Sequence, residues 1–327
     1  MSLSPRQLRL LMISVGAGAA GYLVFALWSG WREVLAAMGH IGWQALGLAL
    51  LLSLANYWLR AERWRLYIVS NGHAISHADN LRIYIAGFAL TTTPGKAGEL
   101  IRGLFLKPYG VTFHHAAAMF FSERVADLIA VLIITAAGLS QLHQGEMYYA
   151  ILVVALLVGL LVLRTTWPER LLRHVAGERK GVHWLANVAA SSRALWRGRL
   201  LWQVQGLSVL AWLAEGVGAW LVLRTLMPDM PLEIGLFIYG FAMIVGALSF
   251  MPGGLGGTEA TMTGLLVLQG LSLPEAVAAT VIIRLATLWF AVLLGLFAVM
   301  RLPTMPARAE SLDTQLATQA GDGQGLK

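Results

Sequence analysis

Residues 83–106 read IYIAGFALTTTPGKAGELIRGLFL, and residues 234–270 read IGLFIYGFAMIVGALSFMPGGLGGTEATMTGLLVLQG. Both start as apolar helix and stop at a Pro-Gly pair, Pro94-Gly95 in the first and Pro252-Gly253 in the second. Proline removes a backbone donor and clashes with the turn before it, and glycine opens left-handed backbone, so each pair breaks its helix. A span needs about 20 apolar residues, which neither half of the first segment reaches. Each segment therefore reads as a re-entrant hairpin, which enters an apolar layer and returns.

The rest of the chain fits such a layer. Of 327 residues, 57% are hydrophobic and 13% charged, about half the roughly 25% of a soluble domain. That composition excludes a disordered or collagen-like chain and argues against a soluble enzyme. With no cysteine there is no disulfide, thiolate catalyst or cysteine zinc site. The formal charge of +7, from 24 basic and 17 acidic residues, reads as a surplus in cytoplasmic loops and not as a nucleic-acid surface.

Apolar runs at 10–28, 41–59, 125–142, 147–163, 203–223 and 276–300 read as full spans. The first is taken as a retained helix over a signal peptide, because it continues to Trp28. Placing the basic loop 164–202 in the cytoplasm puts the Arg60–Arg65 cluster and both termini there too. Trp28, Trp31 and Trp43 then lie near the outer interface, with Trp58, Trp64 and Trp202 near the inner one. The expectation is an all-α, polytopic integral membrane protein of about six full spans plus two re-entrant helical hairpins. It forms one domain, 1–302, with a polar, disordered tail at 303–327.

The two broken segments also resemble each other. Gly87-Phe88-Ala89, Pro94-Gly95 and Gly98-Glu99 are echoed by Gly240-Phe241-Ala242, Pro252-Gly253-Gly254 and Glu259. Glu99 precedes Arg124 by 25 positions, and Glu259 precedes Arg284 by 25. With one hairpin entering from each side, the repeats, about 41–142 and 203–300, have inverted topology. Paired breaks of this kind point to a transporter's substrate site, and their helix ends attract anions.

Charges at membrane depth cost on the order of 2.5–3.5 kcal/mol each, yet this chain keeps Lys96, Glu99, Arg102, Arg124, Asp127, Glu215, Glu259 and Arg284. Two roles stay open: structural pairs, such as Glu99 with Arg124, Glu259 with Arg284 and Arg124 with Asp127, or substrate contacts. Pro94, Gly95, Gly98, Pro252, Gly253, Gly254, Gly256 and Gly257 would form the turns at the site and let backbone approach a substrate. No lysine follows the second glycine run, so it is not a nucleotide-binding loop. His73 and His77, and His114-His115, read as solvated loop residues before metal ligands. No metal or other cofactor is expected.

Pro94-Gly95-Lys96-Ala97-Gly98-Glu99, Glu123-Arg124-Val125-Ala126-Asp127 and Pro252-Gly253-Gly254-Leu255-Gly256-Gly257-Thr258-Glu259 resemble the lysylphosphatidylglycerol synthase transmembrane-region family, over about residues 10–300. The best-understood members join this domain to a soluble aminoacyl transferase, and the membrane part looks like a flippase for the lipid product. The resemblance implies a stand-alone member, because no soluble synthase domain follows the last span. It places Glu99, Arg124, Asp127 and Glu259 on family motif positions, with Lys96 and Arg102 beside the first motif. Arg60, Glu62 and Arg63 are weaker candidates.

The resulting expectation is a translocase, and not an enzyme, in a bacterial-type inner (cytoplasmic) membrane. It would act on a phospholipid, aminoacyl-lipid or glycolipid headgroup held by Lys96, Glu99, Arg102, Arg124, Asp127, Glu259 and Arg284. The alternative is a non-transporting scaffold or regulator of a lipid- or glycan-modifying enzyme. An intramembrane enzyme ranks last, for want of a nucleophile or metal set. Membrane lipids are the expected partners, a lipid-synthesising or glycosyl-transferring enzyme and homo-oligomers stay open, and nucleic acid is not expected.

Overall fold

The structure is a computed structural model that describes residues 31–139, 145–176, 179–249 and 251–301. The run 10–28, Trp28, the turn at 140–144 and the tail 303–327 lie outside these residues. Every regular element among the described residues is a helix. They are α1 (Trp31–His40), α2 (Trp43–Ser70), α3 (His77–Gly87), α4 (Phe113–Leu139), α5 (Gly145–Arg164), α6 (Trp167–Ala176), α7 (Lys180–Leu195), α8 (Gly198–Leu226), α9 (Leu232–Leu248), α10 (Gly257–Leu268) and α11 (Leu273–Arg301). Short 3₁₀ turns at Phe88–Leu90 and Pro94–Ile101 and one α turn at Arg102–Phe105 lie between α3 and α4. Helices α8 and α11, of 29 residues each, are long and apolar enough to cross a membrane.

Local chemistry sets the boundaries. Ser76 caps α3 by accepting from the Asp79 amide. Ser272 and Glu275 form a capping box at the start of α11, with Pro274 in its first turn. Inside α11, residues Leu285–Trp289 form a π turn immediately after Arg284. Such a turn opens the backbone ladder, and the Tyr57 hydroxyl donates to the Thr287 carbonyl at 2.5 Å.

The core has two ends. Ile41, Leu223, Met230 and Leu271 belong to one buried apolar cluster; Ile68, Ile75, Val111, Leu195 and Val204 belong to the other. Helices α2, α4, α8 and α11 each contribute to both clusters, so they run from one end to the other. The two broken segments do not. Segment 77–112 starts beside Ile75 and comes back beside Val111. Segment 232–270 starts beside Met230 and comes back beside Leu271. Their breaks meet midway, where a Cβ on Gly253 would lie 3.5 Å from the Thr92 Cα.

Three expectations need correction. The Arg60–Arg65 stretch is not a solvent-facing cluster at a helix end. Helix α2 continues to Ser70, and Arg60 and Arg63 turn into the core. Trp64, on the same turn, is buried at 1% exposure and so belongs to no interfacial belt, whereas Trp43, Trp58 and Trp202 are exposed. The stretch 164–202 is not a loop: α6 and α7 occupy most of it, and α7 sets Val188 against Ala117 and Ala118 of α4.

Candidate functional site

The breaks position the site. After Pro94 the backbone of Lys96 takes a left-handed φ of 56°, the only non-glycine residue to do so among the described residues. For a residue with a side chain this costs roughly 1–3 kcal/mol, and such strain gathers at functional sites. In the second break Gly253, Gly254 and Gly256 all have positive φ, between 64° and 85°, which glycine alone adopts without strain. Pro94 and Pro252 each open a 3₁₀ turn. Gly98 is fixed differently: a Cβ there would meet the Leu90 carbonyl oxygen at 2.8 Å. Its own amide donates to Thr93 Oγ1 at 2.7 Å.

Each break is held by a glutamate and an arginine. Glu99 accepts from Thr91 Oγ1 at 2.6 Å and pairs with Arg102 at 2.8 Å and Arg124 at 3.5 Å. Glu259 accepts from the Gly256 amide at 2.6 Å and from Arg284 Nε at 2.7 Å. Arg284 also donates to the Gly253 carbonyl at 2.8 Å, clamping both sides of the second turn. The spacing of 25 thus ends in an ion pair in both segments.

Glu123, which sequence reasoning passed over, joins the first half together. It is fully buried and pairs with Arg63 at 2.8 Å, Arg102 at 2.9 Å, Arg124 at 3.3 Å and Arg60 at 3.8 Å, and it accepts from the Tyr84 hydroxyl. Asp127, one turn further on, pairs with Arg63 at 2.6 Å, Arg124 at 3.2 Å and Arg60 at 3.6 Å, and accepts from Trp212 Nε1 at 2.9 Å. Arg102 lies 4.2 Å from the Trp64 ring centroid and 4.6 Å from that of Tyr84, so its charge also rests on aromatic faces. Four guanidiniums therefore share three carboxylates, and positive charge is in excess. The i, i+3 spacing of Arg60 and Arg63 on a helix whose apolar run ends just before them was the one available signal for their inward turn.

Beside this network lies a cavity of about 360 Å³. Lys96, Arg124 and Asp127 are its charged lining, and Gly253 and Gly254 of the second break also line it. Its wall is apolar, from Val131, Met243 and Ile244, and its rim carries Leu128, Leu248 and Met251, all exposed. Lys96 is half-buried and has no carboxylate within ion-pair distance among the described residues. Arg124 keeps 22% of its side chain exposed, and its Nε and Nη2 make no hydrogen bond although three carboxylates lie near. Glu99, Arg102 and Glu259 line no part of this cavity and are held in ion pairs, while Arg284 reaches a smaller neighbouring cavity.

Two broken helical segments meeting at a buried charged centre, beside a cavity with a charged lining and an apolar rim, define a helical membrane protein built around a polar interior. The chain belongs to the lysylphosphatidylglycerol synthase transmembrane-region family, whose model matches residues 10–295. It is also similar to a UPF0104 membrane protein of Methanothermobacter thermautotrophicus, at 26% identity over 298 residues that cover 84% of this chain and 88% of that one.

Proposed function

We propose that the chain is a lipid translocase that passes an anionic or zwitterionic headgroup through the cavity between its two breaks. The observation that carries this reading is the shape of the chemistry in that cavity: cations in its lining and exposed aliphatic side chains at the rim. An amphiphile presents the complementary pattern, a phosphate-bearing head and acyl tails that stay in the bilayer. The volume lies in the range of small-ligand sites, about 300–1,000 Å³. In this reading Lys96 and Arg124 meet the headgroup, with Asp127 beside them. Arg284 reaches the neighbouring cavity, and Glu99, Arg102 and Glu259 hold the two turns in place. The site moves lipid without transforming it.

The two-ended core supports re-entrant hairpins that enter a multi-pass fold from opposite faces. A pseudo-symmetric packing supports inverted repeats: α4, which follows the first hairpin, packs on α9 of the second, and α11, which follows the second, packs on α3 of the first.

Transport of fluorescent phospholipids in proteoliposomes tests the reading. Losing a buried charged contact costs roughly 2–5 kcal/mol, so Lys96→Ala and Arg124→Gln should each slow movement by more than about tenfold while the protein stays folded. Movement of no lipid class by folded protein would leave the non-transporting scaffold as the better reading.

A further inference from the structure

Glu215 is the acid that the ion network leaves out. Glu99, Glu123, Asp127 and Glu259 each have an arginine within 4 Å. Glu215, in the middle of α8, is 5% exposed and has no cation at that distance among the described residues. It faces a second, smaller cavity of about 40 Å³, room for one to a few waters. The groups that face it there are Tyr57 and Arg60 of α2, Lys96 of the first break, Tyr239 of α9, and Arg284 of α11. Glu215 and Thr287 also line a narrow recess with Ser53. The Tyr239 hydroxyl lies against the Glu215 carboxylate, and Ser53 Oγ lies beside the Tyr57 hydroxyl, so the acid sits among buried hydroxyls that water in the cavity can join.

This small cavity adjoins the large one: Lys96, Trp212, Met243 and Gly253 line both. Of the three facing cations, Arg60 is held by Glu123 and Asp127, and Arg284 by Glu259. Lys96 alone carries charge with no acid paired to it, and it is also the cation offered to a headgroup.

We propose that Glu215 is a proton-binding site linked to the headgroup cavity, so that one proton moves with each anionic headgroup. This rests on the translocase reading. A buried carboxylate with no cation in ion-pair distance is costly as an anion and cheaper as the neutral acid. Arg60, the Tyr239 hydroxyl, Lys96 and Arg284 all favour the anion, and the ammonium of Lys96 supplies the one field among them that a headgroup in the large cavity can reach. A headgroup phosphate on Lys96 cancels that field, so its arrival favours proton uptake by Glu215, and by reciprocity the proton favours the headgroup. The balance is simple. A proton from water on one side joins the Glu215 carboxylate, and it leaves to water on the other side when the headgroup departs. No other bond forms or breaks.

Two measurements separate this proposal from the reading beneath it. In nanodiscs, infrared difference spectra of the full chain between about pH 8 and about pH 5 should contain a protonated-carboxyl band that Glu215→Gln removes and Glu215→Asp shifts. Absence of any band that responds to these variants overturns the proton site, whether or not lipid moves. In proteoliposomes with fluorescent phosphatidylglycerol, a gradient of about one pH unit should shift the lipid's distribution between leaflets by up to about tenfold. Glu215→Gln should remove that response. Lipid movement indifferent to the gradient overturns the coupling and leaves translocation standing. No movement by the wild-type chain, with the infrared band present, overturns translocation and the coupling while the proton site stands.

Discussion

Glu123 gathers more cations than any other acid in the described chain, and it does so with no exposed surface. Arg63 and Arg102 are equally buried, so neither can turn to water if that carboxylate loses its charge. Breaking one partner of a buried pair costs about 3–5 kcal/mol, because an uncompensated charge stays behind. Glu123→Gln should therefore lower the thermal unfolding temperature in detergent by many degrees, whereas Lys96→Ala, at a cation without an acid partner, should unfold close to the parent. Equal unfolding temperatures for Glu123→Gln and the parent would remove Glu123 from the role of keystone. At this scale the sequence was informative where a repeat doubled the signal. Glu99 with Arg124 and Glu259 with Arg284 share one spacing, and both close as ion pairs. Arg60 and Arg63 carried no second copy to compare. Standing at the end of an apolar run beside Glu62 and Arg65, they had the same pattern as a cytoplasmic boundary. Only the inward face of a helix that continues past them separates the two cases.

Helix α11 shows what an element needs in order to hold a broken neighbour. Gly295 sits against the 3₁₀ turn that ends α3, and a Cβ there would collide with the backbone nitrogen of Ala89. The obstacle is backbone and cannot swing aside, so Gly295→Ala should cost roughly 1–3 kcal/mol or more by overpacking and displace the first break. The control is Gly264 in α10, where a Cβ meets nothing within 4 Å; there alanine should stabilise the helix by up to about 1 kcal/mol. Comparing thermal unfolding of the two variants checks the contact, and a Gly295→Ala protein as stable as Gly264→Ala would refute it. The glycines at the breaks were legible from their Pro-Gly setting, but Gly295 was not, since inside an apolar run nothing marks which glycine faces another backbone. The 164–202 stretch failed for a related reason. Its density of arginine suggested a loop, yet Trp167, Leu171 and Val175 recur at helical spacing on the exposed face of α6. A helix with three charged residues in ten, set among other arginines, looks like a loop when only charge density is read.

On the scale of the whole molecule, the proposed arrangement makes a claim about sidedness. The two hairpins return to opposite ends of the core, one marked by Ile75 and Val111 and the other by Met230 and Leu271. If these ends lie at opposite faces of a bilayer, residues in the turns near them must be reachable from opposite sides. The chain offers a direct test, because it contains no cysteine to remove. Single cysteines at Asn71 and Arg170 belong to the end expected to face the cytoplasm, and those at Asp229 and Ser272 to the other. Positively charged residues concentrate on the cytoplasmic side of membrane proteins, and α6 and α7 carry the basic stretch at the first of these ends, with Leu195 in the same cluster as Ile75. In intact cells a membrane-impermeant thiol reagent should label Asp229→Cys and Ser272→Cys, and label Asn71→Cys and Arg170→Cys only after permeabilisation. The discriminating pair is Asp229 with Ser272, because they bracket the second hairpin. A segment that crossed the bilayer fully would leave them on opposite sides, and a hairpin that enters and returns leaves them on the same one. Labelling of one but not the other from outside would make 232–270 a span, remove the inverted relation between the two breaks, and with it the reason for placing both at one headgroup cavity.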